Sequence, residues 1–389
     1  MPGPIPFEVR WSKAEVEAVL DKVRAYPWPQ APKVEDGWAY GCDGEYLKHF
    51  CAHWAREWDA RAAVAELNRW PQFTARVEDF DLHFVHVVGE AEGKRPLLLS
   101  HGWPGSHYEF WGVIEPLAFP SRHGGEASDA FDLVIPSLPG FGFSSKPERP
   151  IGQRATARLF GKLMSELLGY GRYLAQGGDW GARITSLLAI EHPRQVKAIH
   201  LNMFGLRPAG GPSSEAETAW IARQGAMMDL LGAYFRLQSS KPQSLAWLGA
   251  GNPVGQAAWI LERFYDWSDR RQTPFEEVFA IDDLIVNIML YVMTGSFTTG
   301  AWYYRGLIEE SPGAPAGERC ETPTAFANFS GEPLYQAPPR SWAERAYNIR
   351  RWTDMPKGGH FAAMEEPGLF VDDLRAFGAE ADVWERESR

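Results

Sequence analysis

Cysteine is scarce: Cys42, Cys51 and Cys320 are scattered through 389 residues without a CxxC pair or Cys/His ligand spacing. A disulfide framework or zinc site therefore has no support, and the three thiols are expected to be reduced and structural. Long apolar runs are missing as well. No stretch reaches the roughly 18 consecutive apolar residues of a membrane span, and the opening MPGPIPFEVRW lacks the basic region and apolar run of a signal peptide. The expectation is a soluble, cytoplasmic protein with no membrane anchor. There is no block of Lys or Arg, and the formal net charge is -11. Nothing is offered to phosphate backbones or anionic lipid, so nucleic acid is not an expected partner. Internal repeats and low-complexity tracts are also absent.

What is abundant is apolar and aromatic. Hydrophobic residues make up 45% of the chain, enough for one large α/β domain with an insertion or for two modest domains. With 17 Trp, 22 Phe and 13 Tyr, aromatic side chains can line an apolar pocket as well as fill a core.

The pattern divides the chain into four stretches. Residues 1–78 read as mostly helical and irregular, with SKAEVEAVLDKVRAY opening on Ser12 as N-cap and Glu15 as its capping-box partner, and YLKHFCAHWAREW as a second helix. Pro/Trp segments around them point to a region that wraps against a main domain. Residues 79–204 form the first part of that domain. FDLHFVHVVG at 80–89 alternates like an antiparallel edge strand, and RPLLLS, FDLVIPS, RYLAQ and VKAIHLN read as buried parallel strands of βαβ units. ARLFGKLMSELLGY and GARITSLLAIEH fit two crossover helices. Over 205–320 strand signals stop and a helical cap is expected. They return in 321–389 with TPTAFANFS and AYNIRRWTDM, before a final helix. The whole predicts a mostly parallel sheet with flanking helices, interrupted by a lid that faces the carboxyl ends of the strands.

Three motifs carry the chemistry. Gly177-Gly178-Asp179-Trp180-Gly181 sits between an apolar strand and a helix and has the outline of a nucleophile elbow, with Asp179 where a serine hydrolase carries serine. An Asp at that point is also a common helix N-cap. SHGWPG at 100–105 follows the strand RPLLL, where an α/β-hydrolase places one oxyanion-hole amide. The donors would be the backbone N–H groups of Trp103 and Trp180. KGGHFAAMEEP puts His360 in a glycine-rich loop after the last strand, in the chain order nucleophile, acid, base. For the acid, Glu332 in SGEPLY follows the strand TPTAFANFS. Asp354 falls within the next strand or turn, and the earlier strand end offers Asn202, so position and elimination favour Glu332.

A serine attacking an sp3 carbon would form an ether that a His-activated water cannot readily cleave. A carboxylate forms an ester, whose carbonyl lies beside the oxyanion hole and can be hydrolysed. Asp179 therefore points to alkylating substrates, mainly epoxides and alkyl halides. An epoxide oxygen needs a proton or hydrogen-bond donor as it leaves; a halide needs only weak donors such as an indole N–H.

The lid sequence LLGAYFRLQSSKPQSLAWLGAGNPVGQAAWILERFYDWSD and the later NIMLYVMTGSFTTGAWYYRG, with PFEVRWSKAEVEAVLDKVRAYPWP and LNRWPQF near the start, resemble the microsomal-type epoxide hydrolases over residues 5–380. The resemblance implies an α/β-hydrolase fold with an extra N-terminal domain, no metal or organic cofactor, and a hydrophobic epoxide and water as reactants. It also implies two lid tyrosines that donate to the epoxide oxygen. These match Tyr234 and Tyr304, with the adjacent Tyr303 as a rival because Trp302 stands where an Arg is usual in the family. Trp103, Trp180 and Phe361 are expected to border the substrate pocket. A haloalkane dehalogenase and a non-catalytic ligand-binding homologue are the alternatives. Substrate identity, a role in detoxification, catabolism or biosynthesis, and homo-oligomerisation stay open.

Overall fold

The computed structural model describes residues 3–91, 95–310 and 317–387. Nine strands form one sheet in the order β1-β2-β3-β5-β4-β6-β7-β8-β9: β1 (Ile5–Phe7), β2 (Gln72–Val77), β3 (Phe80–Val87), β4 (Arg95–Ser100), β5 (Phe131–Pro136), β6 (Tyr173–Gly177), β7 (Val196–Leu201), β8 (Cys320–Phe329) and β9 (Tyr347–Met355). From β5 to β9 every pairing is parallel, while β1, β2 and β3 join antiparallel. The short apolar runs of the sequence are the parallel strands. Their residues are buried on both faces because helices cover both sides, as in β5, where all of FDLVIP is inside.

Two strands lie where the sequence reads as helical or irregular. β1 and β2 add the N-terminal region to the sheet, with Phe73 opposite Phe84 and Thr74 opposite His83. The alternating segment at 80–89 is consequently an interior strand and not the expected edge. Alternation reports one polar-substituted face and is blind to whether a further strand pairs alongside. The alternate polar residue His83 is itself buried and bonded, its ring nitrogens 2.9 Å from Gln72 Oε1 on the neighbouring strand and 2.9 Å from Ser137 Oγ.

Helices α1 (Lys13–Arg24), α2 (Gly44–Arg56) and α3 (Ala60–Leu67) connect β1 to β2. The Ser12/Glu15 capping box forms at the start of α1. The sheet is flanked by α4 (Trp111–Ala118), α5 (Gln153–Lys162) and α6 (Asp179–Glu191). A run of helices, the segment expected to form the lid and called so below, leaves the sheet after β7: α7 (Glu215–Leu231), α8 (Ala233–Ser240), α9 (Pro242–Gly249), α10 (Pro253–Trp267), α11 (Phe275–Val278), α12 (Ile281–Thr294) and α13 (Ser296–Glu310). The expected cap span includes 311–316, which lie outside the described residues. After β8 come α14 (Arg340–Ala346), α15 (Ala362–Glu365) and the closing α16 (Pro367–Glu387). No single described helix is long and apolar enough to cross a membrane; α12 and α13 pass that test only as a pair bent by 87°.

The N-terminal helices also hold the lid. Trp38 stacks on Tyr265 of α10 at 3.9 Å, and His53 of α2 meets Asp282 of α12 at 2.7 Å. One continuous segment thus pairs with the sheet through β1 and β2 and grips the lid through α2.

Helix α6 is pressed hard against the sheet, and glycine makes this possible. A Cβ on Gly181 would lie 1.8 Å from the Ser100 carbonyl oxygen at the end of β4, a backbone atom that cannot step aside. Gly181→Ala is expected to cost about 1–3 kcal/mol by forcing the helix off the strand. Denaturant unfolding measures this, and an unchanged midpoint would contradict the packing.

Candidate active site

Asp179 begins α6 at φ 46°, in the left-handed region that a non-glycine residue enters at a cost. The N-cap position belongs to Gly178, which has no side chain to cap with. Asp179 therefore does not cap the helix. Its Oδ1 accepts a 2.8 Å hydrogen bond from the Trp103 backbone N–H, and its Oδ2 lies 3.3 Å from His360 Nε2. In the HGWPG loop Gly102 leaves room for this carboxylate, since a Cβ there would sit 2.1 Å from Asp179 Oδ1. Trp180 follows as the second residue of α6, where backbone N–H groups have no acceptor within the helix.

The other expected residues converge on the same point. His360 Nδ1 lies 2.5 Å from Glu332 Oε2, while Glu332 Oε1 accepts the backbone N–H groups of Leu334 at 2.9 Å and Tyr335 at 3.2 Å. Asp354 is elsewhere, within β9, bonded to Asn328 and to the Trp352 indole. Asn202 accepts from the Gln176 amide at 2.9 Å. The histidine loop is braced from behind by Glu365, which accepts from Gly359, Phe361 and Asp269 N–H groups at 2.8–2.9 Å. Burial raises the Glu365 carboxyl to about 7. For His360, burial alone would push the imidazole down. The Glu332 and Asp179 carboxylates at its two nitrogens outweigh this and hold it well above the ordinary 6.5.

The lid supplies an aromatic enclosure above Asp179. Tyr234 of α8 stacks on Trp103 with centroids 5.5 Å apart, and the Arg263 guanidinium lies 5.2 Å over the phenol ring. Tyr304 of α13 stands edge-on to Trp180 at 4.7 Å, Trp103 at 5.5 Å and Tyr234 at 5.8 Å. Tyr303 points away: its hydroxyl donates to Thr156 Oγ1 of α5 at 2.7 Å. Burial first, then the neighbouring phenols and the Asp179 carboxylate, hold Tyr234 and Tyr304 well above the ordinary phenol value. Phe361 stacks face to face on Phe264 of α10 at 3.9 Å and edge-on to His360 at 4.9 Å, joining the lid to the histidine loop.

Two side chains at the site were not singled out from the sequence. Tyr335 shares a 2.6 Å hydrogen bond with the Tyr234 hydroxyl. Its only sequence signal is its place three residues after Glu332. Glu109, in SHYEF after the HGWPG loop, borders the same small cavity as Asp179 and His360. A carboxylate in an otherwise apolar, aromatic segment is the hint it gave.

The lid helix α12 fixes the HGWPG loop, Asn287 donating to the Pro104 carbonyl at 2.9 Å and Tyr291 to the Gly105 carbonyl at 2.7 Å. A carboxylate is thus presented between an amide donor and an imidazole–carboxylate pair, beneath phenols that can donate. This can support nucleophilic attack, oxyanion stabilisation and general acid–base steps in one place.

Comparison with known proteins agrees with this geometry. Residues 4–110 match the family described as epoxide hydrolase N terminus, and residues 95–236 match the alpha/beta hydrolase fold. Epoxide hydrolase 1 of Oryctolagus cuniculus is 33% identical, over 96% of this chain and 88% of that protein. The structure of the Aspergillus niger epoxide hydrolase superposes with a TM-score of 0.83 at 31% identity, covering 98% of this chain and 97% of the other. The juvenile hormone epoxide hydrolase of the silkworm Bombyx mori does so with a TM-score of 0.84 at 25% identity, covering 98% and 96%. Similar in sequence and structure over almost its whole length, the chain belongs to the epoxide hydrolases, enzymes of the α/β-hydrolase fold that add water to epoxides.

Proposed function

We propose that the reaction runs through an ester on Asp179, carried by the residues gathered around it. The supporting observation is the position of the Asp179 carboxylate, 2.8 Å from the Trp103 N–H and 3.3 Å from His360 Nε2. Asp179 attacks one epoxide carbon from the back; the C–O bond breaks, and its electron pair goes to the ring oxygen. Tyr234 and Tyr304 bind that oxygen and supply its proton, which an alkoxide requires and a halide does not. In the second half-reaction His360, oriented by Glu332, takes a proton from water as it adds to the ester carbonyl. The amides of Trp103 and Trp180 receive the oxyanion. Collapse releases a vicinal diol. The aromatic walls formed by Trp103, Trp180, Phe235, Tyr234 and Tyr304 favour hydrophobic epoxides.

The electrostatics order the two halves. In the resting site the imidazole is held between two carboxylates and carries its proton. Esterification turns Asp179 neutral and removes one of the charges that stabilise the imidazolium. The imidazole can then lose its proton and act as a base, so the first step prepares the second.

Three outcomes test this reading. His360→Gln mixed with styrene oxide is expected to gain the mass of the whole epoxide on the peptide containing Asp179, with no adduct in Asp179→Asn; an adduct elsewhere contradicts it. Tyr304→Phe is expected to slow ester formation by about 10- to 100-fold, the loss of a hydrogen bond to a charged oxygen. Tyr303→Phe leaves that step unchanged, and equal losses in the two variants would reverse the assignment. Finally, 15N NMR of the resting protein is expected to show His360 doubly protonated through neutral pH, with Asp179→Asn moving its titration to lower pH. A neutral imidazole at neutrality in the unmodified protein would remove the ordering argument.

A further inference from the structure

A small cavity adjoins Asp179. It measures about 20 Å³ and is lined by Ser100, Glu109, Gln176, Asp179, His360 and Ala363 among others, while none of Trp103, Trp180, Tyr234 and Tyr304 borders it. A volume of that order holds one water and excludes an organic substrate. The lining is also built for water. Ser100 and Gln176 are buried at 0% and 1% exposure, and Ser100 Oγ and Gln176 Oε1 have no hydrogen-bond partner among the described residues. Gln176 is held in place by donating its amide to Asn202, which leaves Oε1 as the acceptor. Buried polar atoms of this kind are normally satisfied by ordered water.

Glu109 completes the set. Its carboxyl folds over Gly105, where a Cβ would lie 1.3 Å from Glu109 Oε1. Burial pushes it up to about 8; the His360 charge and the backbone N–H groups of Gly102 and Ser106 oppose this, and the Asp179 charge adds to it. Its two oxygens give it hydrogen-bonding capacity towards a water in the cavity. Glu109 and Ala363 also line a larger pocket of about 300 Å³, which Glu66, Arg69 and Asp283 border as well. Glu109 keeps partial exposure and lines both spaces.

We propose that the small cavity is the seat of the hydrolytic water, and that Glu109 is a positioning residue that holds this water for His360 and separates it from the outer pocket that refills it. The inference rests on the reading that Asp179 forms an ester. The water donates to Gln176 Oε1 and to His360 Nε2 and is hydrogen-bonded to the Glu109 carboxyl. One proton passes to His360 as the oxygen bonds to the ester carbonyl carbon. The ester C–O bond then breaks towards the alkyl oxygen, which takes that proton back from His360, leaving Asp179 as the carboxylate after loss of the remaining proton to solvent. Substrate and water thus approach the same carboxyl group from different sides.

Rapid-quench single-turnover kinetics with styrene oxide separates ester formation from ester hydrolysis. In Glu109→Leu, hydrolysis is expected to slow by about tenfold or more while ester formation stays within about twofold of the unmodified enzyme, as for loss of one hydrogen bond made only in the second step. Glu109→Gln, which keeps a donor and an acceptor, is expected to restore most of the rate. Ala363→Leu, which fills the cavity while leaving every polar lining residue in place, is expected to slow hydrolysis selectively too, and it decides the matter should Glu109→Leu fail to fold. Hydrolysis at the unmodified rate in the folded variants, or equal slowing of both steps, overturns the inference while leaving the ester mechanism intact. Absence of any ester in the unmodified enzyme and in His360→Gln removes the mechanism and the inference together.

Discussion

A carboxylate on a left-handed backbone, held between an amide N–H and an imidazole, is the constraint to which the rest of the molecule is fitted. Asp179 at φ 46° projects from the junction of β6 and α6, and the strain of that conformation persists only because the neighbouring packing over-determines it. Gly181 lets the helix touch the end of β4, and Gly102 lets the HGWPG loop reach the carboxylate. Glu332 and Glu365 then fix the histidine loop from two directions. Rigid placement matters here because the proposed chemistry is differential: each donor must meet charge that develops only during reaction.

Around that point the site divides into an aromatic side and a polar side. The lid contributes the aromatic side, in which Tyr234 and Tyr304 are carried by different helices and meet over Trp103. The sheet ends contribute the polar side, with Ser100 from β4 and Gln176 from β6. The N-terminal segment links these halves mechanically, since β1 and β2 extend the sheet while α2 and Trp38 contact the lid. Lid position is therefore set by contacts from the core loop, the histidine loop and the N-terminal region together. The Tyr234–Tyr335 hydrogen bond adds a direct tie between the lid and the loop that carries Glu332.

Features dictated by local backbone geometry were legible in the sequence. The elbow, the HGWPG loop and the histidine loop each need glycine at particular places, and glycine is visible without a fold. The position of Glu332 after β8 was legible too, and the structure sets its carboxylate against His360. What escaped was whatever depends on a distant partner. Tyr335 matters through a hydroxyl on Tyr234 in the lid, and Glu109 through a cavity closed by residues from four other segments. The strand status of β2 and the interior position of β3 depend on pairing that alternation does not encode. Tyr303 and Tyr304 show the limit most plainly. Neighbours on a helix point about 100° apart, so one faces Thr156 and the other the site, and only the packed structure distinguishes them.

The most direct test of the central claim is to follow oxygen. With enzyme in excess over epoxide in 18O-labelled water, a single turnover through an Asp179 ester delivers unlabelled carboxylate oxygen to the diol and leaves the label in the peptide containing Asp179. That is the predicted result. Label appearing in the diol in the first turnover, with Asp179 unlabelled, would mean that water attacks the epoxide directly, and the account of Asp179 as nucleophile would be wrong.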